Sequence, residues 1–222
     1  MGFPRYDTKR WLFANFGFIY PTTPSPMRLL MILWACLSSL FLTLQAQPDS
    51  SRYDRLYAPT DGLYRVQLNG KYGFVNAAGE TVVPIMYEHA GNFREGRARV
   101  TLKGKVGFID SLGAMVVPPI YDRAWAFSEG MAVVSLDHKM GYIDRSGAVV
   151  LPLEYDLARS FSAGRGLVMQ NGRHGFVDAS GDLVIPLRYD QAFPFFKGKA
   201  QVKAEGQTFY IDLQGRCVAD CP

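Results

Sequence analysis

The chain has 222 residues, 48% hydrophobic and 20% charged, which is enough for one substantial domain preceded by a targeting segment. Its formal net charge is +4, but residues 1–46 hold four of the 24 basic residues and one of the 20 acidic residues, so the remainder is nearly neutral. A neutral body lacks the clustered basic face that nucleic acid requires, so we expect no nucleic-acid partner.

The first 46 residues predict a leader that the mature protein lacks. Residues 1–26 show no hydrophobic periodicity and are interpreted as lying upstream of the true start at Met27. From there Arg28, an apolar run over 29–44 and a small residue at Ala46 are typical of a signal peptide over 27–46, cleaved after Ala46. The run is short of the ~20 residues that span a bilayer. An uncleaved anchor is the alternative, and a lipoprotein signal at Cys36 is disfavoured because the apolar run continues past it.

After a short linker over 47–52, the rest of the chain repeats every 34 residues. Five units, 53–86, 87–120, 121–154, 155–188 and 189–222, follow without insertion or deletion. Each unit begins with a tyrosine followed by Asp or Glu: Tyr53, Tyr87, Tyr121, Tyr155 and Tyr189. A glycine followed by an aromatic residue also keeps the step, at Gly73, Gly107, Gly141 and Gly175. A fixed period of this kind indicates a repeat architecture.

The content of each unit predicts three β-strands and no helix. Helices are disfavoured because every unit spreads several glycines along its length and most carry a proline. The first strand alternates apolar and polar residues, as in 97–102, and a tight turn such as Asn69-Gly70 follows it. The second strand ends in Asp-x-x-Gly, and the third contains a proline that suggests a strand end or a sheet edge. A loop of about nine residues leads to the next unit.

We therefore predict an all-β fold: a tandem array of five three-stranded meanders. Neighbouring units supply the core, since one meander cannot bury its apolar face alone. An open twisted stack is favoured because the fifth unit departs from the pattern, with Phe209 at the glycine position and Asp220 at the proline position. A closed propeller-like ring is the alternative.

The order Gly-Lys-x-Gly-Phe-Ile-Asp, Gly, Val-Val-Pro, Tyr-Asp, Phe and Gly resembles the WG repeat family of bacterial proteins over residues 53–222. The tryptophan that often precedes the family's glycine is absent, and Tyr72, Val106, Met140 and His174 stand there. The resemblance implies a β-repeat scaffold that mediates interactions, and it supplies no catalytic residues.

No residue set predicts catalysis, a cofactor or a metal site. Asp110, Asp144, Asp178 and Asp212 recur at one unit position, whereas an enzyme needs one asymmetric constellation; turn capping is favoured over acid–base roles or a calcium ladder. His89, His138 and His174 fall at three different unit positions and lack zinc-site spacing. Cys217 and Cys221 favour a disulfide, with a turn at 219–220, over free thiols.

Function is expected where the units differ. One loop position reads Tyr57, Gly91, Trp125, Arg159 and Phe193, and together with Phe196 its large residues form a candidate interaction surface. The alternative is that these aromatic side chains cover the core between units. We predict a secreted or periplasmic, non-catalytic module that binds a protein or a glycan, with membrane contact only through the signal segment. A structural spacer of the cell envelope is the alternative, and a hydrolase is disfavoured.

Overall fold

The computed structural model describes residues 47–222, so the predicted leader lies outside the described residues. A 3₁₀ turn at Ser50–Arg52 precedes twenty strands in five antiparallel sheets of four. Sheet one contains β1 (Arg55–Leu56), β2 (Tyr64–Leu68), β3 (Lys71–Val75) and β4 (Thr81–Tyr87). Sheet two contains β5 (His89–Ala90), β6 (Arg97–Leu102), β7 (Lys105–Asp110) and β8 (Met115–Tyr121). Sheet three contains β9 (Arg123–Ala124), β10 (Met131–Leu136), β11 (Lys139–Asp144) and β12 (Val149–Tyr155). Sheet four contains β13 (Leu157–Ala158), β14 (Gly166–Gln170), β15 (Arg173–Val177) and β16 (Leu183–Tyr189). Sheet five contains β17 (Gln191–Ala192), β18 (Ala200–Ala204), β19 (Gln207–Ile211) and β20 (Cys217–Ala219).

The predicted repeating meander is confirmed, and each sheet adds a strand that the sequence pattern did not show. This additional strand is two residues long and lies within the segment expected to be a loop, as at Arg123–Ala124, which pairs with β10. Two residues are too few to display an alternating pattern, so the strand is recognisable only from its pairing.

The turns between the second and third strands of each sheet take the predicted form. In sheet one Asn69 and Gly70 have φ of 49° and 73°, the left-handed values that a type I′ hairpin needs at both central positions. Sheet three uses Asp137 and His138 there, with φ of 50° and 64°. The turn is therefore set by the hairpin geometry even where no glycine is present.

The fourth strand lies at the edge of each sheet and bulges where its proline stands. In sheet three Tyr142 pairs with Leu151, but Met140 pairs with Tyr155, so the register shifts around Pro152. The bulge brings the backbone of this strand close to the recurring glycine of the third strand, which we call the signature glycine. A Cβ on Gly141 would lie 2.4 Å from the Leu151 carbonyl oxygen. The recurring glycine is thus explained by close backbone approach, and the recurring proline by an edge strand.

The core lies between the sheets. One apolar cluster joins each pair of consecutive sheets; between sheets three and four it contains Tyr142, Tyr155, Phe161 and Val168, all buried. An aromatic pair crosses each of these four interfaces with ring centroids 4.8–4.9 Å apart: Phe74–Phe93, Phe108–Phe127, Tyr142–Phe161 and Phe176–Phe195. Among residues 47–222 none of the apolar clusters joins sheet five back to sheet one, so the sheets form an open array.

The two ends of the array are finished differently. At the first end, a Cβ on Gly79 would lie 3.9 Å from Pro48. One repeat later, a Cβ on Gly113 would lie 3.0 Å from the carbonyl oxygen of Val82, the residue that corresponds to Pro48. Residues 48–53 thus substitute for the fourth strand of a preceding sheet. At the other end, no further sheet within residues 47–222 packs on the outer face of sheet five.

Candidate interaction surface

The variable loop position has the same backbone setting in every sheet. Its N–H donates to the carbonyl oxygen of a second-strand residue, from Tyr57 to Arg65 at 3.0 Å, from Trp125 to Val133 at 2.9 Å and from Phe193 to Gln201 at 3.0 Å. The equivalent bonds of Gly91 and Arg159 are 2.8 and 2.9 Å. The position is therefore fixed by the scaffold, while its side chain is free to differ between sheets.

In sheets one and three this side chain is half-buried. Tyr57 is half-buried under the Arg65 guanidinium, which lies 3.9 Å from its ring centroid, and its own ring is 6.4 Å from that of Tyr72. Trp125 is half-buried against the apolar cluster between sheets three and four. The alternative in which aromatic residues cover the core between units describes Trp125, whereas these contacts of Tyr57 lie within sheet one.

Sheet two has glycine at this position, and a groove nearby is lined by Arg99, whose Cβ would lie 3.7 Å from a Cβ on Gly91. The groove has a volume of about 300 Å³ and lies between sheets two and three. Arg99 lines it and donates to the Ala124 carbonyl oxygen at 2.6 Å, with His89, Arg123 and Trp125 nearby. In sheet four Arg159 occupies the position and is exposed.

In sheet five the same position has no following sheet beside it among the described residues. Phe193 is 57% exposed, and Phe196 is 73% exposed, although apolar side chains of this size are usually buried. They line a groove of about 510 Å³ whose other walls are Pro194, Lys197, Lys199, Gln201 and Tyr210. No acidic residue of the described chain lines this groove. We call this set of seven residues the terminal face; it brings together Phe193 and Phe196 but leaves Tyr57, Trp125 and Arg159 on other sheets.

The lysines, Gln201 and Tyr210 of the terminal face were missed in the sequence. The sequence feature that points to them is the departure of unit five from the pattern of the other units. Phe196 stands at the position where Ser128 and Ser162 each donate a hydrogen bond to the following sheet, at 2.9 and 2.7 Å. A side chain that holds the next sheet has thus been replaced in the one sheet that has no following sheet among residues 47–222.

Another set of bonds links the turns between the first and second strands of successive sheets. The Glu95 carboxylate accepts from the N–H groups of Glu129 and Gly130 at 2.7 and 2.9 Å. The Glu129 carboxylate accepts in the same way from Ala163 and Gly164 at 2.8 and 2.7 Å. We call this two-bond arrangement the carboxylate clamp.

The Glu95 clamp makes the free energy of unfolding depend on pH. Burial alone would raise the pKa of Glu95, but Arg145 and the two amides outweigh it and leave that pKa below its ordinary value of 4.5. The carboxylate therefore stabilises the fold fully above about pH 4.5 and loses this effect as the pH falls through its lower folded pKa. We expect Glu95→Gln to cost about 1 kcal/mol at pH 7, since the site is partly screened by solvent, and progressively less below pH 4.5.

Urea unfolding of wild type and Glu95→Gln between pH 3 and 7 measures this difference. Asp61→Asn is the control, because Asp61 holds the same turn position and accepts no hydrogen bond within residues 47–222. A constant difference between Glu95→Gln and wild type across this range would contradict the assignment.

The recurring carboxylates serve turns, as predicted. Asp144 Oδ1 accepts from the N–H groups of Ser146 and Ala148 at 2.8 and 3.0 Å, and the Ser146 hydroxyl lowers the pKa of Asp144. The acidic residue after each unit tyrosine joins two turns: Asp122 accepts from Lys105 Nζ and from the Asp137 N–H, and Lys105 lowers the pKa of Asp122. Within residues 47–222 no group of three or more His, Cys, Asp or Glu side chains could hold a metal.

The last strand closes with a disulfide between Cys217 and Cys221, whose Cα atoms are 5.7 Å apart. The chain reverses at Asp220, which has φ of 54°. Among the described residues no helix is long and apolar enough to cross a membrane.

A family model, described as WG containing repeat, matches residues 51–72, 72–105, 107–139, 140–173 and 175–207. The chain belongs to the WG repeat family. The five matched segments are found although the tryptophan is absent from the position before the glycine. No curated protein matches the chain.

Several solved structures share part of the fold at low identity. A eukaryotic initiation factor is 9% identical with a TM-score of 0.46, covering 74% of this chain and 53% of that one. Dihydro-heme d1 dehydrogenase NirN, in complex with DHE, is 14% identical with a TM-score of 0.41, covering 75% and 46%. Hsv2 of Kluyveromyces lactis is 11% identical with a TM-score of 0.42, covering 71% and 59%. The WG repeats thus span about half the length of these structures, and likenesses at this level carry no functional argument.

Proposed function

We propose that this protein is a secreted or periplasmic, non-catalytic binding module whose terminal face contacts a protein partner. The observation that carries the proposal is the exposure of Phe193 and Phe196, at 57% and 73%, on a sheet face that nothing in the described chain covers. Exposed aromatic side chains grouped on one face are typical of interaction sites.

Two features support the proposal that the module is not an enzyme. The acidic residues that recur accept hydrogen bonds within turns, as Asp144 and Asp122 do, so their charge is already used by the scaffold. Every described carboxyl group with a displaced pKa has it lowered, whereas a general acid at neutral pH needs it raised.

The location rests on two features. The signal peptide expected over 27–46 would deliver the chain across a membrane, and the disulfide between Cys217 and Cys221 suits an oxidising compartment. We expect the mature protein to begin at Gln47 and to hold no free thiol in its native form. Terminal sequencing that finds residues 27–46 retained, or a thiol assay that counts two free thiols, would contradict this location.

A structural spacer is the second candidate. The half-burial of Tyr57 and Trp125 favours it, because those two aromatic residues pack against other side chains of the array and do not form an exposed aromatic strip. The two functions differ at the terminal face, which a spacer would not need.

Site-specific photo-cross-linking in the native host separates them. A photoreactive phenylalanine derivative is placed at Phe193 or at Phe196, and in control proteins at Leu112 or Val149, which are 83% and 54% exposed on other sheets. We expect one discrete cross-linked protein from both terminal-face positions and none from the controls. The absence of a cross-linked protein at 193 and 196, or the same products at all four positions, would contradict the binding proposal.

A further inference from the structure

We propose that the groove between sheets two and three binds a uronic acid residue of an acidic polysaccharide. In this site Arg99 and Arg123 hold the sugar carboxylate, and Trp125 packs against the sugar ring. The groove is separate from the terminal face on sheet five, so the inference adds a second ligand to the proposed function.

The guanidinium group of Arg99 is positioned by the scaffold but is not covered by it. Arg65 holds the same repeat position in sheet one, and both arginines donate to a carbonyl oxygen of the following sheet, at 3.0 and 2.6 Å. In sheet one the Tyr57 ring lies 3.9 Å from the Arg65 guanidinium. Sheet two has Gly91 in place of Tyr57, and among residues 47–222 no aromatic ring stacks on Arg99. The Arg99 guanidinium is therefore open to a ligand.

Three side chains that can donate hydrogen bonds to an anion line the groove: Arg99, Arg123 and His89. Within residues 47–222 none of them belongs to an ion pair, and the bond from Arg99 to Ala124 is the only side-chain hydrogen bond they make. A planar guanidinium group presents several N–H donors in an arrangement that matches the two oxygens of a carboxylate. The groove therefore offers two positive charges and unused donors to an external carboxylate.

The acidic residue that lines the groove, Asp122, does not cancel this charge. Its carboxylate accepts hydrogen bonds from Lys105 Nζ at 2.5 Å and from the Asp137 N–H at 2.9 Å. Because Lys105 already balances Asp122, the charges of the two groove arginines remain available.

The position of Arg123 is basic along one part of the array. The same repeat position holds Arg55 in sheet one and His89 in sheet two, followed by Leu157 and Gln191 in sheets four and five. Stacked sheets pack about 10 Å apart, so these side chains repeat at the spacing of the sheets. A polymer whose negative charges repeat along its length matches such a row better than a single small anion does.

Trp125 defines what carries the carboxylate. It lines the groove and is half-buried against the apolar cluster between sheets three and four. A sugar ring has an apolar face of C–H groups that packs on a flat aromatic side chain, while its polar groups reach donors at the rim of the site. A uronic acid has both this apolar face and the carboxylate that the arginines require. The groove volume, about 300 Å³, lies at the lower end of the range for small-ligand sites.

The probe is an α-1,4-linked trimer of galacturonic acid, with the α-1,4-linked galactose trimer as its neutral match, titrated into the mature protein. Trp125 is the only tryptophan after residue 46, so its fluorescence reports on the groove directly. We expect a saturable fluorescence change with a dissociation constant on the order of 1 mM for the acidic trimer, and binding of the neutral trimer about 10-fold weaker or less.

Two variants test the two parts of the carboxylate site. Arg123→Ala is expected to weaken binding of the acidic trimer about 10-fold, and Arg94→Ala is its matched control. Arg94 is also exposed and outside the ion pairs of residues 47–222, but it does not line the groove. Gly91→Tyr restores the ring that covers Arg65 in sheet one, and we expect it to weaken binding by a similar factor with an unchanged unfolding midpoint. The added Cβ has room, since its nearest heavy atom would be 3.7 Å away.

Equal binding of the two trimers, or equal losses in Arg123→Ala and Arg94→Ala, would overturn the inference. If a Glu-Glu-Glu peptide binds as tightly as the acidic trimer, the site is not selective for a sugar and the inference also fails. Phe193→Arg with Phe196→Ser is expected to leave binding of the acidic trimer unchanged, so the groove and the terminal face are tested independently.

Discussion

Gly141→Ala is expected to destabilise the protein by about 3 kcal/mol or more. The added Cβ would lie 2.4 Å from the Leu151 carbonyl oxygen and 2.8 Å from that of Pro152. Both contacts are with backbone, so the fourth strand of sheet three must move and lose its register. Chemical unfolding measures the change.

Gly91→Ala is the matched control for this prediction. A Cβ there would find its nearest heavy atom at 3.7 Å, and the backbone is not in the left-handed region, so we expect a change within about 0.5 kcal/mol. Equal effects of the two substitutions would contradict the explanation of the signature glycine.

The fifth sheet has no glycine at this position, and its fourth strand is shorter than those of the other sheets. Phe209 stands at the glycine position and is buried, with its ring centroid 6.2 Å from that of Tyr189. Its neighbour strand β20 has only three residues and pairs with Tyr210 and Ile211 but not with residues 207–209, so no paired strand lies against Phe209. Where that part of the fourth strand is missing, the glycine is not needed.

Phe195→Ala is expected to cost about 3–5 kcal/mol, whereas Phe196→Ala, one residue away, is expected to cost less than about 0.5 kcal/mol. Phe195 is 2% exposed and its ring centroid is 4.8 Å from that of Phe176 across the interface between sheets four and five. Phe196 is 73% exposed and leaves no cavity in the core when removed.

Thermal and chemical unfolding of the two variants check this contrast. The two variants remove the same residue type at adjacent positions, so a difference between their free energies of unfolding reports the difference in burial. A comparable loss in both variants would mean that Phe196 belongs to the core and that the terminal face is not open.

The sequence was sufficient for the parts of the fold that recur. Turns such as Asn69-Gly70 and the edge position of Pro152 follow from local backbone chemistry, which one chain displays directly. The family resemblance was confirmed although the tryptophan is replaced at Tyr72, Val106, Met140 and His174, because glycine, turn and proline carry the pattern.

The parts that depend on neighbouring sheets could not be predicted in the same way. Tyr57, Trp125 and Phe193 occupy one repeat position and look alike in the sequence, yet within residues 47–222 Phe193 belongs to the sheet that has no following sheet. Similarly, Ala163 stands at the position from which Glu95 and Glu129 bind the following turn, and the sequence alone does not show that these glutamates make this contact. Both features are properties of contacts between units.

The central claim is that recurring residues build the stack while the terminal face binds the partner. Its most direct test replaces Phe193 and Phe196 with the residues that sheet four has at those positions, Phe193→Arg with Phe196→Ser, and measures the dissociation constant for the partner identified by cross-linking. We predict binding at least ~30-fold weaker, as for loss of a hot spot, with an unchanged unfolding midpoint. Unchanged affinity in the folded variant would contradict the account.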